Sequence, residues 1–526
     1  MANSNSLHIA IIGAGIAGLG AAYQLKRAAE TGDFDISYTV FESDNRIGGQ
    51  LWTDRPTLPC GGAVIADGGS DSYLTRKHAT MARVAYLMGT ENQLIGTDDS
   101  TKQTFIVKGG KLIPLPDGIM MFAPTKILPM ATTKLYSWPA KFRMAADLII
   151  PRKKLDPGID ESIGSLVRRR LGSECMDRLA EPLVGGINGS NPDTMSTRAT
   201  YPMLLDMEQK YGSLIRGFLA QRKQVEEMRV KASAMTGKPS SSAPRTFFSS
   251  CIDGLDDFTN SMAQAIGEQN IRTRTPVTAL KRITDGKYEL TVAREESTNI
   301  VRRSGVICEH SSGMQDNTVQ ETIHADAVII TAPAWTAGEM LNDLAPEVAE
   351  ILSGIPHSSC ATIITAFDEA DALFAKDWHG ILAPGIEHQK VTGISLMSSK
   401  WAGRAPAGSV LLRGFVGGAR DDVTHNLPDD ELVELVCKTY VDLLGLAPDA
   451  VPTYAKVFRF PRAMPQYIVG HLDRMKALNQ HMAKQIGLAL GGAAYTGVGV
   501  PNCLESGEEA ALKILSDLGC VVDDAR

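Results

Sequence analysis

The chain has 526 residues, 44% of them hydrophobic and 21% charged, with a net charge of −7. That length exceeds one ordinary hydrophobic core and calls for two or three interleaved domains. The acidic balance excludes a general attraction to nucleic acid, and no run approaches the roughly 20 uninterrupted apolar residues of a spanning helix. Eight scattered cysteines, with no C-x-x-C pair and no Cys/His ligand spacing, argue against a metal centre and against a disulfide framework. They suit a reducing cytosol. Met1 to Ser6 lacks the basic start of a signal peptide, so a cytoplasmic location is expected.

The first predicted strand, His8–Ile12, runs into the turn Gly13-Ala14-Gly15-Ile16-Ala17-Gly18 and then into a helix from Leu19. Gly13 permits the tight turn, Gly15 lets backbone approach a pyrophosphate, and Gly18 lets the helix pack close to the strand. The phosphates would rest on unpaired N–H groups at the helix's positive end. A second strand, Ile36–Phe41, ends on Glu42, placed to hydrogen-bond ribose hydroxyls. Arg46-Ile47-Gly48-Gly49 follows as a second close-approach turn with one positive charge. The spacing and this glycine pair resemble the FAD-dependent amine oxidase and protoporphyrinogen oxidase superfamily, which implies FAD as the cofactor.

Ala66-Asp67-Gly68-Gly69-Ser70 leads into Asp71–Lys77 and a helix through Met88. Glycines there either let backbone pass a ligand or form a helix-entry loop capped by Asp71 or Ser72. A hairpin is predicted at Phe105–Val107 and Leu112–Pro116, then Pro-punctuated helical spacing to about residue 225. Ile119–Phe122, Ile127–Met130 and the basic group Arg152-Lys153-Lys154 lie within it. Those apolar segments read as the insert's own core or a dimer face, or as a surface dipping into lipid. Lys238–Pro244 reads as a flexible surface loop.

Thr246–Ser250, a helix to Ile266 and a strand across Ile271–Leu280 reopen the cofactor domain. A β-meander is predicted over 283–325 with a polar loop at 309–317, closing on the apolar run Ala325–Pro333, suited to a parallel strand buried on both faces. Strands at Cys360–Phe367, Val391–Met397, Val410–Val416 and Thr453–Phe460, with a helix at Asp430–Leu444, make an antiparallel domain. Finally Ile486–Leu490, a glycine-rich turn over Gly491–Val500 and a last helix from near Asn502 repeat the strand–turn–helix pattern. That helix start could face the flavin's pyrimidine edge, where reduction builds negative charge.

The expected fold is thus α/β: a discontinuous Rossmann-like FAD-binding domain (1–90, 246–334 and 471–526), a mainly helical insert (91–225), a linker (226–245) and an antiparallel-sheet substrate domain (335–470). There is no G-x-S-x-G elbow, no H-E-x-x-H and no P-loop, and the histidines fall singly. The hard chemistry therefore belongs to the cofactor, with no catalytic side chain and no metal expected.

Glu161–Gly172, Glu181–Asp193, Ala66–Lys77, Ile355–Ser359, Ser399–Pro406, Phe415–Gly418 and Gly491–Gly507 resemble oxygen-dependent protoporphyrinogen oxidases of the HemY type, nearly end to end. By motif, the resemblance puts FAD contacts on Gly13 to Gly18, Glu42, Ser43, Gln50, Gly68 to Asp71, Val277, Phe460 and the run Val498, Gly499, Val500, Pro501, Asn502, Cys503. It puts substrate contacts on Gly186, whose carbonyl can accept pyrrole N–H bonds, and on Leu382 and Met397 against the macrocycle. A basic residue that pairs a propionate in some relatives aligns with Thr104, so Arg76 and Lys77 are taken as the substitute carboxylate partners. The implied reaction is protoporphyrinogen IX to protoporphyrin IX by three two-electron dehydrogenations, with O2 as acceptor giving peroxide. Coproporphyrinogen III is the closest rival substrate and an amine a distant one. A helical domain that touches membrane from the cytoplasmic face, and a homodimer, complete the expectations.

Overall fold

The computed structural model describes residues 6–32, 34–75, 78–98, 100, 102–153, 159–236, 246–295 and 318–520. Arg76, Lys77, the loop read at Lys238–Pro244 and the polar loop at 309–317 lie outside them. Leu7–Ile12 sits at the centre of a five-stranded parallel sheet. Its order is Ile271–Arg272, Ile36–Phe41, Leu7–Ile12, Ala327–Ile330, Leu488–Leu490. All four residues of Ala327–Ile330 are fully buried, because helices cover one face and a meander with three more helices covers the other.

On the first face the helices Ile16–Thr31 and Val500–Asp517 lie side by side. The strand read across Ile271–Leu280 divides in two. Ile271–Arg272 edges the parallel sheet, while Val277–Arg282 opens an antiparallel meander with Tyr288–Glu295 and Thr318–Ala325. The break has a local cause: Arg274 takes φ +51°, and Pro276 has no N–H for a ladder. The strand read at Thr246–Ser250 is Phe248–Cys251, which pairs antiparallel with Tyr73–Leu74 and Leu94–Gly96.

A second sheet has seven strands, ordered Tyr454–Pro465, His357–Asp368, Ser409–Gly417, Val391–Leu396, Trp378–Leu382, Gln103–Lys108, Lys111–Pro114. It is antiparallel except where Trp378–Leu382 meets Gln103–Lys108. The hairpin expected at the head of the helical insert is therefore the edge of this sheet. Ile106 packs with the helical segment and Val107 with the opposite face, so a strand apolar on both sides is buried between two layers. The helix Asp429–Leu444 covers the outer face.

The helical segment surrounds Ile163, Leu166, Leu214 and Phe218 and contains a buried ionic node, Asp147 and Glu208 against Arg170 and Arg169. Within it Ile119–Met120 and Ala123–Pro124 form a two-residue ladder, turned at Met121 with φ +52°. Among the described residues no helix is long and apolar enough to cross a membrane.

Candidate functional site

The carboxyl edge of the parallel sheet gathers the glycine turns. Gly13 has φ +104°, donates its N–H to Phe41 O at 2.8 Å, and an added Cβ would stand 2.9 Å from Thr331 Oγ1. An added Cβ on Gly18 would overlap the Gly13 carbonyl, whereas one on Gly15 would meet nothing within 4 Å. One glycine is thus needed for each close contact, and Gly15 faces open space where a phosphate can approach backbone. Ile16 and Ala17 open the helix behind it, leaving its first N–H groups without intrahelical acceptors.

Glu42 is buried, and its carboxylate accepts from Ala14 N at 2.7 Å and Asp44 N at 2.8 Å, with the Ser43 hydroxyl at 3.2 Å. Thr275 N donates to Glu42 O at 2.7 Å, which brings the start of the meander, and with it buried Val277, to the same corner. Gly48 N donates to Ala14 O at 2.8 Å, and Gly49 lies against Gly15. Arg46 turns inward. Its guanidinium donates to the carbonyls of Ile47, Leu51 and Gly49 and lies 4.3 Å over the Trp52 ring, so it braces its own loop.

The second helix start joins the first. An added Cβ on Gly20 would lie 2.7 Å from Leu504 Cδ1, so the two helices run in backbone contact and their positive ends share one edge. Gly499 caps the second helix, Val500 and Pro501 begin it, and Asn502 packs on Gly497 and Gly499. Cys503 donates its thiol to Gly497 O at 3.7 Å and Val498 O at 3.9 Å, and burial pushes that thiol up to about 12.

The segment 66–71 connects this edge to the seven-stranded sheet. Added Cβ atoms on Gly68 and Gly69 would overlap the Phe458 ring and Gln50 O, and Phe460 lies beyond Gly69. Gln50 Nε2 reaches across to Ala463 O at 2.8 Å. Thr362 Oγ1 donates to Gly68 O at 2.5 Å, and Arg413 Nη2 donates to the carbonyls of both Gly68 and Gly69. Buried Asp67 pairs with Arg404 at 3.1 Å; burial outweighs that partner and raises its carboxyl above the usual range. Asp71 is also shielded, but Lys400 at 2.7 Å, Trp401 Nε1 at 3.2 Å and the Arg413 charge overcome burial and hold it well below that range. Asp71 therefore spends its carboxylate on the sheet side, while Ser70 stays exposed with its hydroxyl on Ser72 O.

Beside this clamp, Phe458, Thr362, Phe415, Gly393, Leu382 and Ile106 are direct neighbours across five ladders. Side chains at such positions share one sheet face. Gly393 and Gly380 leave that floor bare between Phe415 and Thr104. Above it stands the helix Glu181–Asn188, where an added Cβ on Gly186 would meet Leu382 Cδ2 at 3.0 Å. Glu181 ties this helix to the sheet by accepting Gly385 N at 2.8 Å and pairing with Arg420 at 2.9 Å. Gly186 and Leu382 are thus brought together, but Met397 is not with them. It is fully buried among Leu58, Val64, Ala66, Leu411 and the floor residue Phe458, and so presents no surface to a guest.

Sequence reasoning missed Arg413, Lys400, Arg404, Thr331 and the Gly380/Gly393 pair. A trace existed for the first: Arg413 interrupts the apolar run Val410–Val416 at a position whose neighbours two residues either side, Leu411 and Phe415, face inward.

A parallel sheet with two glycine turns at one edge, joined to an antiparallel sheet with a bare apolar floor, defines a flavin-dependent oxidoreductase. The chain belongs to the flavin containing amine oxidoreductase family, whose model matches residues 16–515, and its cofactor is FAD. It is 30% identical over 512 residues to coproporphyrinogen III oxidase of Staphylococcus aureus (97% of this chain, 99% of that one). To the protein of that name in Propionibacterium freudenreichii it is 31% identical over 523 residues (98% and 92%). With protoporphyrinogen oxidase 2 of Arabidopsis thaliana it shares 26% over 534 residues (98% and 96%). A crystal structure from Exiguobacterium sp. 255-15, provisionally named a protoporphyrinogen oxidase, superposes with a TM-score of 0.78 at 28% identity, covering 98% of this chain and all of that one.

Proposed function

We propose that the chain oxidises a porphyrinogen to its porphyrin in haem biosynthesis, with O2 as final acceptor and hydrogen peroxide as by-product. The observation that carries this is the bare floor. Gly393 lies bare between Phe415 and Leu382, and Gly380 lies bare between Ser395 and Thr104 in the next row; Gly186 stands over Leu382, and the floor abuts the Gly68–Gly69 clamp. A planar macrocycle fits such a slot, whereas a small amine would leave most of it unfilled.

FAD supplies the two-electron acceptor when bound. Gly13, Gly15 and the helix start at Ile16 would hold its pyrophosphate, Glu42 its ribose, and the Gly499–Cys503 helix start its ring. The remaining work of the protein is positional. Gly186 sits in the last helical turn before Gly189, where carbonyls run short of intrahelical donors, and is placed to accept a pyrrole N–H. Leu382 and Phe415, on either side of Gly393, fix the plane of the guest.

For the substrate, the relatives at 30–31% identity are named coproporphyrinogen III oxidases, and those named protoporphyrinogen oxidases stand at 25–28%. That ordering supports coproporphyrinogen III first and protoporphyrinogen IX, the choice made from sequence, second. Arg76 and Lys77 lie outside the described residues, and Thr104, half-buried beside Gly380, brings no charge. The exposed Ile127, Leu128, Trp138, Phe142 and Ile149 give the helical segment an apolar face that suits peripheral lipid contact.

The test is a paired assay. Each porphyrinogen is added anaerobically to the yellow protein, and flavin bleaching, porphyrin fluorescence and peroxide on readmitting air are followed. A higher kcat/KM for the four-carboxylate substrate is expected. Faster turnover of protoporphyrinogen IX reverses the order, and bleaching by neither ends the proposal.

A further inference from the structure

Arg413 is 5% exposed, yet among the described residues no carboxylate lies within ion-pair distance of it. The two nearby acids are taken, Asp71 by Lys400 and Asp67 by Arg404. Among the described residues its Nε has no hydrogen-bond partner either. A buried guanidinium with no salt bridge is costly: burial lowers its proton affinity against the longer-range pull of Asp71 and Asp67, and it lies 4.6 Å over the Phe415 ring. Packing alone does not call for it, since an apolar side chain would fill the same place between Leu411 and Phe415 without that cost.

What the guanidinium does is turn two peptide groups. It draws the carbonyls of Gly68 and Gly69 onto one nitrogen. In a trans peptide the N–H of the next residue points opposite to the carbonyl. The N–H groups of Gly69 and Ser70 are therefore directed away from Arg413, and neither has a protein acceptor among the described hydrogen bonds. Gly69 also touches Gln50, next to Gly49, which lies on Gly15 of the phosphate turn. One continuous layer thus runs from the phosphate cradle to these two free donors.

We propose that Arg413 is a positioning residue that aims the N–H pair of Gly69 and Ser70 at the isoalloxazine and, as an unpaired cation behind them, favours its reduced state. At each step the substrate loses two electrons and two protons. A hydride carries both electrons and one proton to the bound ring, which gains one negative charge, and the second proton leaves to water. A fixed cation and two oriented donors are suited to stabilise that charge. The inference rests on the isoalloxazine lying beside residues 68–71.

The holoprotein's two-electron midpoint potential, read against a reference dye, tests it. Arg413→Met is expected to keep FAD and to lower the reduction equilibrium constant at least tenfold, about 30 mV for a two-electron couple. Arg413→Lys, which keeps the charge, recovers most of that loss. Asp71→Asn, which removes an opposing charge, moves the potential the other way. That variant also decides the matter if Arg413→Met does not fold. Unchanged potentials in the variants that fold overturn the proposal, as does a rise in KM without a change in potential, which would assign Arg413 to a substrate carboxylate. Protein that binds no FAD would instead defeat the cofactor reading before this one is reached.

Discussion

An added Cβ on Gly507 would overlap the carbonyl oxygen of Ala17, so the first and last helices of the chain touch backbone to backbone. That contact sets the spacing between the two helix starts at the carboxyl edge of the sheet. Gly507→Ala must push the helices apart, an overpacking change that costs roughly 1–3 kcal/mol. We expect a lower thermal midpoint and less FAD per chain after purification, read from the flavin-to-protein absorbance ratio. Full FAD occupancy would show that the spacing tolerates a methyl group.

Gly393 is a milder position. An added Cβ would stand 3.6 Å from Phe415 Cδ2 and 3.8 Å from Leu382 Cδ2, ordinary contact distances. Gly393→Val should therefore fold and hold FAD while filling the slot between those side chains. KM for the porphyrinogen is expected to rise about tenfold or more, the scale of an overpacked contact. An unchanged KM would move the guest off this floor.

In the helical segment, Asp147 accepts from Arg170 Nε at 2.6 Å and from Ser213 Oγ at 2.5 Å, and both charged side chains are fully buried. Removing one partner of such a pair costs about 3–5 kcal/mol, and here Glu208, 3.5 Å from Arg170, offsets part of that. Asp147→Asn is expected to shift the urea midpoint down by that scale. The double variant Asp147→Leu, Arg170→Met should recover a large part of it.

His471 is fully buried and stacked on Tyr467, with ring centroids 4.0 Å apart. Burial, helped by Arg474, lowers its pKa to about 4. The folded protein therefore binds fewer protons here than the unfolded chain, where histidine titrates near 6.5. Its contribution is complete above about pH 6.5 and is lost as pH falls from there to about 4, up to about 3 kcal/mol in all. Unfolding midpoints measured from pH 7 to 4 should fall more steeply in the wild type than in His471→Gln. Parallel curves would assign acid sensitivity elsewhere.

The parts legible in the sequence are those whose cause is local. Gly13, Gly15 and Gly18 stand where a strand gives way to a helix, and each spacing has one steric use. The run Ala327–Ile330 is apolar at every position and is buried at every position. Helix Asp429–Leu444 starts and stops almost where its periodicity does. The strand Trp378–Leu382, five residues with no clear alternation, escaped notice because its partners supply its hydrogen bonds.

Met397 shows where that legibility ends. The family resemblance puts this residue against a guest, yet the strand stops one residue earlier and the side chain is fully buried in a cluster with Leu58, Val64 and Phe458. The hairpin 103–114 is similar, since nothing within it says that Trp378–Leu382 will be its neighbour.

By itself the sequence determined the phosphate turns and the buried parallel strands, because backbone sterics and hydrophobic period act over a few residues, and the resemblance carried by its motifs implied a flavin enzyme. Only the tertiary structure decided that Arg413 would lie buried without a carboxylate, and that Gly186 would stand over Leu382 beside two bare glycines. Those relations join segments far apart in the chain, and no local pattern encodes which distant backbone will fill the space opposite a side chain.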